Sequence, residues 1–200
     1  MSSWSASFFT WVQRAGFYRD LHTAAVSLLP TASGHTWLDV GCGPGLVARQ
    51  AARQGYIVTA TDASSAMIVA AQQQNENHPI TYHCATLDHL VETRTQADVV
   101  SAASLLAVLD DPDEGLRQLV RLVKPGGTLL VIETNAILTS LHAVAYLWLH
   151  PRTHGKIRLL LWSLVRHGRA PGADALQRAP WAKQSYPLLG GLVSAWMLKP

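Results

Sequence analysis

Three glycines at alternate positions follow a short apolar segment that contains a single carboxylate. The glycines are Gly41, Gly43 and Gly45, and the carboxylate is Asp39. A strand that ends in such a turn and continues into a helix brings bare backbone up to a ligand, because only glycine adopts left-handed dihedral angles without strain. The dinucleotide-binding fingerprint G-x-G-x-x-G would need a third glycine where Leu46 stands. The spacing therefore predicts a small-ligand loop and disfavours a nicotinamide or flavin enzyme.

The segments around this loop alternate between strand-like and helix-like patterns. The predicted strands are 36–40, 56–61, 80–84, 97–101 and 128–133, and the predicted helices are 46–54, 66–74 and 115–123. Strands that alternate with helices form a parallel, doubly wound sheet. Two further strands, at 183–187 and 192–198, flank a Leu-Gly-Gly turn and predict a hairpin. The sequence thus predicts an α/β fold with a mostly parallel seven-stranded sheet that ends in an antiparallel hairpin.

Four stretches, in the right order, resemble motifs of the class I S-adenosylmethionine (SAM) methyltransferases. They are 39–45, Asp62, 98–109 and 116–127. In that family the glycine loop wraps the methionine end of SAM, and the acid after the second strand accepts hydrogen bonds from the ribose hydroxyls. The resemblance implies a Rossmann-like sheet with SAM as the cofactor. It assigns these residues to the cofactor site: Asp39, Gly41, Cys42, Gly43, Gly45, Asp62, Ala63, Met67, Cys84, Ala85 and Ala102.

We expect the 200 residues to form a single methyltransferase domain, since a chain of this length buries most of the surface that its unfolded form exposes. The resemblance divides the domain into a helical lid at 1–30, a SAM-binding core at 36–134, a helical insertion at 135–182 and a terminal hairpin at 183–200. In this family the lid, the loop after the fourth strand and the insertion build the acceptor pocket.

Two positions depart from the family pattern. Cys84 stands where an aspartate normally accepts a hydrogen bond from the adenine amino group, and loss of that bond weakens binding by about 1.5–3 kcal/mol unless neighbouring groups compensate. The loop after the fourth strand has Ala107 and Val108 instead of a histidine pair, so no general base comes from there. These departures keep an alternative open, in which the chain is a catalytically weak SAM-binding regulatory or interaction module.

The three segments that would surround the acceptor are rich in large apolar side chains. These are Trp4, Phe8, Phe9, Trp11, Phe17, Tyr18, Leu105, Leu106, Ile137, Leu138, Leu141, Tyr146, Trp148, Trp162 and Trp181. They predict a small hydrophobic or aromatic acceptor, or else they only pack the lid on the domain. Because the sulfonium of SAM is already activated, in-line positioning supplies most of the rate. Tyr18, Glu133 and His142 are the candidates for orienting the acceptor or removing its proton.

The last third of the chain combines apolar helical faces with positive charge. After Glu133 the only carboxylate side chain is Asp174. One helical face carries Ile137, Leu141, Val144 and Trp148, and a basic stretch at 156–169 surrounds an apolar centre. These features predict either peripheral contact with an anionic membrane or a core-packing helix with snorkelling basic ends.

Other function classes are disfavoured by what the chain lacks. No Asn/Asp-Pro-Pro-Tyr-like motif is present, which argues against a nucleic-acid substrate. His150 and His154 have no evident third partner, so we expect no metal site. The two cysteines leave no disulfide framework, the N-terminus does not resemble a secretion signal and the apolar segment 136–149 is too short for a transmembrane helix. We therefore expect a cytoplasmic protein, and its oligomeric state stays open.

Overall fold

Seven strands of the computed structural model, which describes residues 10–32, 34–75 and 78–200, form one sheet. The strands are β1 (Thr36–Val40), β2 (Ile57–Asp62), β3 (Ile80–Cys84), β4 (Ala97–Ala103), β5 (Val123–Thr134), β6 (Ala182–Leu188) and β7 (Val193–Lys199). Their order in the sheet is β3-β2-β1-β4-β5-β7-β6. Strands β1 to β5 are mutually parallel, whereas β7 is antiparallel to both of its neighbours. The predicted fold class, with its C-terminal hairpin, is confirmed.

Helices cover both faces of this sheet. They are α1 (Gly16–Val26), α2 (Leu46–Arg53), α3 (Ser65–Gln73), α4 (Leu87–Glu92), α5 (Pro112–Arg121), α6 (Ser140–Leu149), α7 (Lys156–Arg166) and α8 (Pro171–Arg178). The core on one face takes buried residues from α1, α2, α3, α6 and α7, and the core on the other face takes them from α4, α5 and α8. No helix within the described ranges combines the length and the apolar character that crossing a bilayer requires.

Strand alternation assigns each residue of the central strands to one of the two cores. Leu38 and Val40 of β1 enter the core beneath α5, whereas Trp37 enters the core beneath α1 and α2. Since successive side chains point to opposite faces, Asp39 lies on the same side as Trp37. In the register of β1 with β4, Asp39 stands directly opposite Ser101. The pairing thus brings two polar side chains together near the carboxyl ends of the central strands.

The structure differs from the sequence prediction around β5. Residues 124–127 were expected to form a turn ahead of a strand beginning at 128, but β5 already begins at Val123. Its register with β4 shifts between the pairs Ala97–Val123 and Val99–Thr128, so these residues form a bulge within the strand. Helix α5 also begins earlier than predicted, at Pro112, because the side chain of Asp111 accepts a hydrogen bond from the backbone N–H of Glu114 and caps the helix. Helix α4 was not predicted.

The segment between β5 and β6 is anchored at both of its ends. At the start, Asn135 donates its side-chain N–H groups to the carbonyl of Gly191 and the hydroxyl of Ser194, at 2.7 and 2.8 Å. At the end, the ammonium of Lys183 donates to the carbonyls of three residues around the end of α8, which are Leu176, Gln177 and Ala179. The bonds from Lys183 satisfy backbone carbonyls that the end of α8 leaves without partners within the helix.

Asp98 joins the amino ends of three strands. Its carboxylate accepts hydrogen bonds from the backbone N–H and the hydroxyl of Thr36 at 2.8 and 2.7 Å, and from the ammonium of Lys124 at 3.1 Å. The hydrogen bonds from Thr36, and then the contact with Lys124, hold the pKa of Asp98 well below its usual range. The carboxylate therefore links β1, β4 and β5 at their amino ends, which lie at the end of the strands opposite the glycine loop.

Replacing Asp98 by Asn should destabilise the fold, because the amide accepts more weakly from the ammonium and loses the charge. Hydrogen bonds to charged groups contribute about 1.5–3 kcal/mol, and partial exposure places the expected loss at the low end. Since the folded-state pKa is depressed, this contribution is present above about pH 4 and is lost as the pH falls below it. Urea unfolding at pH 7 and at acidic pH measures it.

The matched control for Asp98→Asn is Asp88→Asn, because Asp88 is exposed and accepts a side-chain hydrogen bond from Gln118, at 2.8 Å, and from no other residue within the described ranges. This control should lose at most a few tenths of a kcal/mol. Equal losses for the two variants would contradict the assigned role of Asp98.

Candidate active site

The glycine loop between β1 and α2 is held in place by the end of β2. All three glycines have positive φ, at 67° for Gly41, 52° for Gly43 and 79° for Gly45, as the sequence predicted. The backbone N–H of Cys42 donates to the carbonyl of Thr61 at 2.9 Å. At Gly45 a Cβ atom would lie 3.1–3.2 Å from three neighbouring side chains, so the loop is also crowded there. Both the dihedral angles and the close contacts therefore require glycine.

Asp39 is fully buried beneath this loop. The hydroxyl of Ser101 donates to Oδ1 of Asp39 at 2.7 Å, and the indole N–H of Trp37 donates to that same hydroxyl oxygen at 2.7 Å. Oδ2 of Asp39 has no hydrogen-bond partner among the residues that the structure describes. Burial outweighs the bond from Ser101 and raises the pKa of Asp39 to about 7. A buried carboxylate oxygen without a donor is a site where a cationic ligand group gains most.

A small cavity lies beside Asp39. It is lined by Asp39 and by residues of the glycine loop, of α1 and the segment before it, of α2 and of β4: Gly41, Cys42, Gln13, Tyr18, His22, Leu46, Val47 and Ala103. The volume of about 20 Å³ accommodates a group of the size of water or an ammonium. A Cβ at Gly41 would lie 2.9 Å from Cδ1 of Leu105, so the loop after β4 covers the glycine loop from the other side.

The second predicted acid, Asp62, ends β2 beside the same loop. Its two carboxylate oxygens accept one backbone N–H each, from Gly43 and from Ser64, both at 2.9 Å. A carboxylate oxygen accepts two hydrogen bonds, so each oxygen keeps a position for a further donor. Asp62 is only partly buried. Its geometry fits the vicinal hydroxyls that the resemblance assigns to it.

The residues expected around the adenosine come together where the loops after β2 and β3 meet. The thiol of Cys84 donates to the carbonyl of Ala63 at 3.7 Å, and the backbone N–H of Ala85 donates to the carbonyl of Asp62 at 3.1 Å. Ala63 and Cys84 are exposed and Met67 is half-buried. These residues form an open shelf next to Asp62, where the cysteine offers no strong acceptor.

Ala102 differs in position from the other assigned residues. Its side chain is fully buried in the core that α4, α5 and α8 cover, on the opposite face of the sheet from Asp39. Its neighbour Ala103 lines the cavity instead. The alternation of side chains along β4 explains this difference of one residue, since Asp39, Ser101 and Ala103 share a face.

Tyr18 lies on the wall of the cavity, within a cluster of aromatic rings. Its ring meets the ring of Trp162 edge to face at 5.7 Å and lies 4.2 Å from the ring of His22. Phe17 stacks on Trp162 at 6.0 Å. Burial raises the pKa of Tyr18, although hydrogen bonding with Ser104 lowers it. The hydroxyl is therefore a hydrogen-bond donor at neutral pH rather than an ionised base.

Glu133 is buried at the end of β5, beneath the first turn of α8. The Cβ of a residue at Gly172 would lie 2.7 Å from its carboxyl carbon, so the helix packs directly on this carboxyl group. Burial raises the pKa of Glu133 to about 7, against the positive charge of Arg166, which lowers it. Glu133 and Arg166 also act electrostatically on Tyr18. Since side chains alternate along β5, Glu133 shares the face of Leu129 and Val131, which α8 covers, whereas Tyr18 lines the cavity on the other face of the sheet.

His142 and several of the expected acceptor-side residues lie elsewhere. His142 is exposed on α6, and its Nδ1 is hydrogen-bonded to the hydroxyl of Thr139 at 2.8 Å. Leu141 and Trp148 are 77% and 81% exposed, whereas Leu106 and Leu138 are fully buried in the core. The expectations for Trp4, Phe8 and Phe9 concern residues outside the described ranges. Among the described residues of this group, Tyr18 lines the cavity, and Phe17 and Trp162 pack behind it.

Two further observations bear on chemistry at the site. In the described part of the chain, no group of three or more His, Cys, Asp or Glu side chains is placed to hold a metal ion. Both cysteines are free, and burial strongly raises the pKa of the Cys42 thiol. Cys42 is therefore a neutral part of the loop rather than a nucleophile.

Trp37, Ser101 and Ala103 were missed by the sequence prediction, although their spacing of two along the strands places them on the face of Asp39.

The burial of Asp39 predicts a specific dependence of stability on pH. Its pKa is raised in the folded state, so the fold is stabilised when the carboxyl is protonated, and this contribution is lost as the pH rises from about 4 to about 7. Asp39→Asn, whose amide stays neutral, should therefore gain stability relative to the wild type across this window and level off above it. Urea unfolding of both proteins at several pH values gives this difference directly.

Taking the difference between the two proteins cancels opposing contributions from other buried groups. The pKa of His22 is lowered to about 4 by burial, so His22 makes stability rise with pH in the same window, but it is present in both proteins. Asp174→Asn, at an exposed site on α8, serves as the control for removing a carboxylate away from the glycine loop. If the stability difference between Asp39→Asn and the wild type did not change with pH, the raised pKa assigned to Asp39 would be contradicted.

Comparisons with known proteins agree with this geometry. The family model described as "Methyltransferase domain" matches residues 38–131. The chain is 34% identical over 167 residues to the ubiquinone biosynthesis O-methyltransferase of Caulobacter vibrioides, covering 78% of this chain and 66% of that protein. It is also 34% identical over 107 residues to the protein of the same name from Coxiella burnetii, covering 52% of this chain and 46% of that one. The chain thus spans about half to two thirds of the length of these curated relatives.

Solved structures show the same fold at low sequence identity. The plantazolicin methyltransferase BpumL in complex with S-adenosylhomocysteine (SAH) superposes with a TM-score of 0.69 at 14% identity, covering 99% of this chain and 91% of that one. The magnesium protoporphyrin IX methyltransferase of Synechocystis PCC 6803 gives a TM-score of 0.66 at 16% identity, covering 98% and 94%. With the glycine loop, the two acids and the sheet order in place, the chain belongs to the class I SAM-dependent methyltransferases, whose cofactor is SAM.

Proposed function

We propose that this protein transfers a methyl group from SAM to a small hydrophobic or aromatic acceptor by in-line displacement. The observation that carries the proposal is that Asp39, which lines the cavity beside the glycine loop, has a buried Oδ2 without a hydrogen-bond partner among the described residues. The methionine end of SAM carries an ammonium group that supplies the missing positive charge. The similarity to curated O-methyltransferases supports the same activity.

The residues at the site fit the remaining parts of this cofactor. The bare backbone at Gly41 and Gly43 leaves room for the methionine end, and the free acceptor positions of Asp62 suit the ribose hydroxyls. Ala63, Met67, Cys84 and Ala85 would contact the adenosine. When bound, SAM supplies a methyl group on a positively charged sulfur, which needs no further activation. The protein's task is then to align the acceptor and exclude water.

An oxygen atom of a hydrophobic acceptor is the favoured site of methylation. The names of the relatives specify O-methyl transfer in ubiquinone biosynthesis. In this chain Tyr18 lines the cavity, and the rings of Phe17 and Trp162 that pack on it are apolar. A phenol or hydroquinone would place its ring against this side of the cavity and its hydroxyl near that of Tyr18. The acceptor side would then comprise α1 and the inner face of α7.

Methylation of a hydroxyl releases a proton, which some group must take up. Glu133 is the candidate whose pKa, about 7, matches this task, although the alternation of side chains along β5 places it beneath α8 and not on the wall of the cavity. Tyr18 stays protonated and orients the acceptor. Exposed His142 would have no direct part. The alternative of a catalytically weak regulatory module finds no support in the comparisons.

A cytoplasmic location is also part of the proposal, and the two free cysteines are compatible with it.

The cofactor assignment is tested by Asp62→Asn. Replacing one carboxylate oxygen by an amide removes the negative charge and turns one acceptor into a donor, so the affinity for SAM and for SAH should fall at least tenfold. Calorimetric titration of each variant measures it. Asp174→Asn is the control and should bind like the wild type. Unchanged affinity in Asp62→Asn would contradict the role of the residue that ends β2.

The proton-transfer assignment is tested by Glu133→Gln. SAH formation is measured with a series of phenols and hydroquinones carrying alkyl chains of increasing length, since a hydrophobic acceptor predicts that kcat/KM rises with chain length. In the wild type kcat should rise with pH through about 7, as Glu133 ionises. Glu133→Gln should lower kcat at least tenfold and remove this dependence, while KM for SAM stays unchanged.

Tyr18→Phe provides the comparison for Glu133→Gln. It removes the orienting hydroxyl and should lower kcat while keeping the pH dependence. A pH profile that survives in Glu133→Gln would exclude Glu133 as the proton acceptor. SAM binding without turnover on any acceptor of the series would favour the regulatory module.

A further inference from the structure

Helices α6 and α7 present a continuous set of large apolar side chains to solvent. These side chains, here called the outer face, are Ile137, Leu141, Val144, Trp148, Leu149, Ile157, Leu161, Leu164 and Val165. Their exposed fractions run from 40% for Leu161 to 81% for Trp148. Single exposed apolar residues are common on proteins, but a contiguous group of this kind marks an interaction surface.

The spacing of these residues shows that they form helical stripes. Leu141, Val144 and Trp148 stand at i, i+3 and i+7 of α6, and Ile157, Leu161 and Leu164 follow the same kind of pattern on α7. The two helices pack against each other, so the stripes lie on neighbouring elements. Of the four residues predicted to share a helical face, Leu141, Val144 and Trp148 do so on α6, whereas Ile137 precedes the helix; this face is exposed and does not pack on the core.

The core is already supplied by other residues of the same helices. Ala143 of α6 and Leu159 and Trp162 of α7 are fully buried. Trp162 contacts Phe17 and Tyr18 at the wall of the cavity. Since each helix has a separate buried face, folding of this domain does not account for the outer face. Both helices therefore carry apolar side chains on the face towards the core and on the face towards solvent.

The charge around the outer face has one sign. Between Glu133 and Asp174 the sequence contains no carboxylate side chain, but it contains five cationic residues. Arg152, Lys156 and Arg169 among them are exposed. Arg158 lies over the ring of Trp11 at 4.8 Å, and Arg166 is buried. The apolar surface is therefore bordered by positive charge, and a complementary partner carries negative charge next to hydrocarbon.

We propose that the outer face of α6 and α7 docks on the surface of an anionic phospholipid bilayer. Apolar side chains enter the boundary of the acyl chains, and the exposed cations meet the phosphate groups of the lipids. Trp148 suits the level of the headgroups, where tryptophan is enriched. A second copy of the chain fits poorly, because two such faces would bring the same positive charges together. This docking does not depend on the methyltransferase activity of the protein.

The test is sedimentation of the full chain with vesicles of phosphatidylcholine alone and with vesicles of equal parts phosphatidylcholine and phosphatidylglycerol. We expect binding to the anionic vesicles that is at least tenfold stronger than binding to the neutral ones and that weakens at high salt. Arg152→Glu combined with Lys156→Glu should weaken it at least tenfold. The absence of binding to anionic vesicles, or equal binding to both kinds, would overturn the proposal.

The chain offers a matched pair of valines for the apolar contribution. Val144 on the outer face and Val69 on α3 are 53% and 50% exposed, and both lie on helices. Val144→Glu should reduce binding to anionic vesicles at least tenfold, whereas Val69→Glu should leave it unchanged. Circular dichroism and the melting temperature establish that both variants fold. Equal effects of the two substitutions would overturn the proposal, as would a wild-type dimer that Val144→Glu dissociates while vesicle binding stays the same.

Discussion

The carboxyl group of Asp39 is the constraint around which this domain is arranged. A carboxyl that is withdrawn from water needs hydrogen-bond donors, and one of them is available only if β1 and β4 pair in the register that sets Asp39 opposite Ser101. Trp37 fixes the Ser101 hydroxyl from the same face. The second oxygen has no donor among the described residues, so the burial of the charged carboxylate is relieved by protonation or, in the proposed complex, by the ammonium group of the cofactor. Such groups are typical of binding sites.

The glycine loop and Asp62 extend this arrangement along the carboxyl ends of the parallel strands. Asp62 both holds the loop in place and offers positions to a ligand. Its oxygens accept from the backbone N–H groups of Gly43 and Ser64 and still have acceptor positions free. The loop is therefore positioned before any ligand arrives. Preformed donors and acceptors lower the ordering cost of binding. The exposed shelf at Cys84 has no equivalent anchor, and most of the binding energy must come from the other end of the site.

Local patterns were sufficient to predict the strands, the positive φ angles of the three glycines and the terminal hairpin, because period-two alternation and glycine spacing act over a few residues. Features that depend on partners distant in sequence were not predictable in this way. The bulge at 124–127 reflects the pairing of β5 with β4, and the burial of Glu133 depends on α8, which comes about 40 residues later. The exposure of Leu141 and Trp148 was likewise not predictable, since an apolar stripe on a helix does not show whether that side meets the core or solvent.

The two anchors of the segment between β5 and β6 have a consequence for how this enzyme family diversifies. Asn135 ties the beginning of the segment to the hairpin, and Lys183 ties its end to the last turns of α8. The segment between them carries both Trp162, which packs on Tyr18, and the exposed apolar side chains of α6 and α7. Exchanging this segment at its anchors would therefore replace an interior contact and an exterior surface together. The glycine loop and Asp62, which lie outside the segment, would remain as they are.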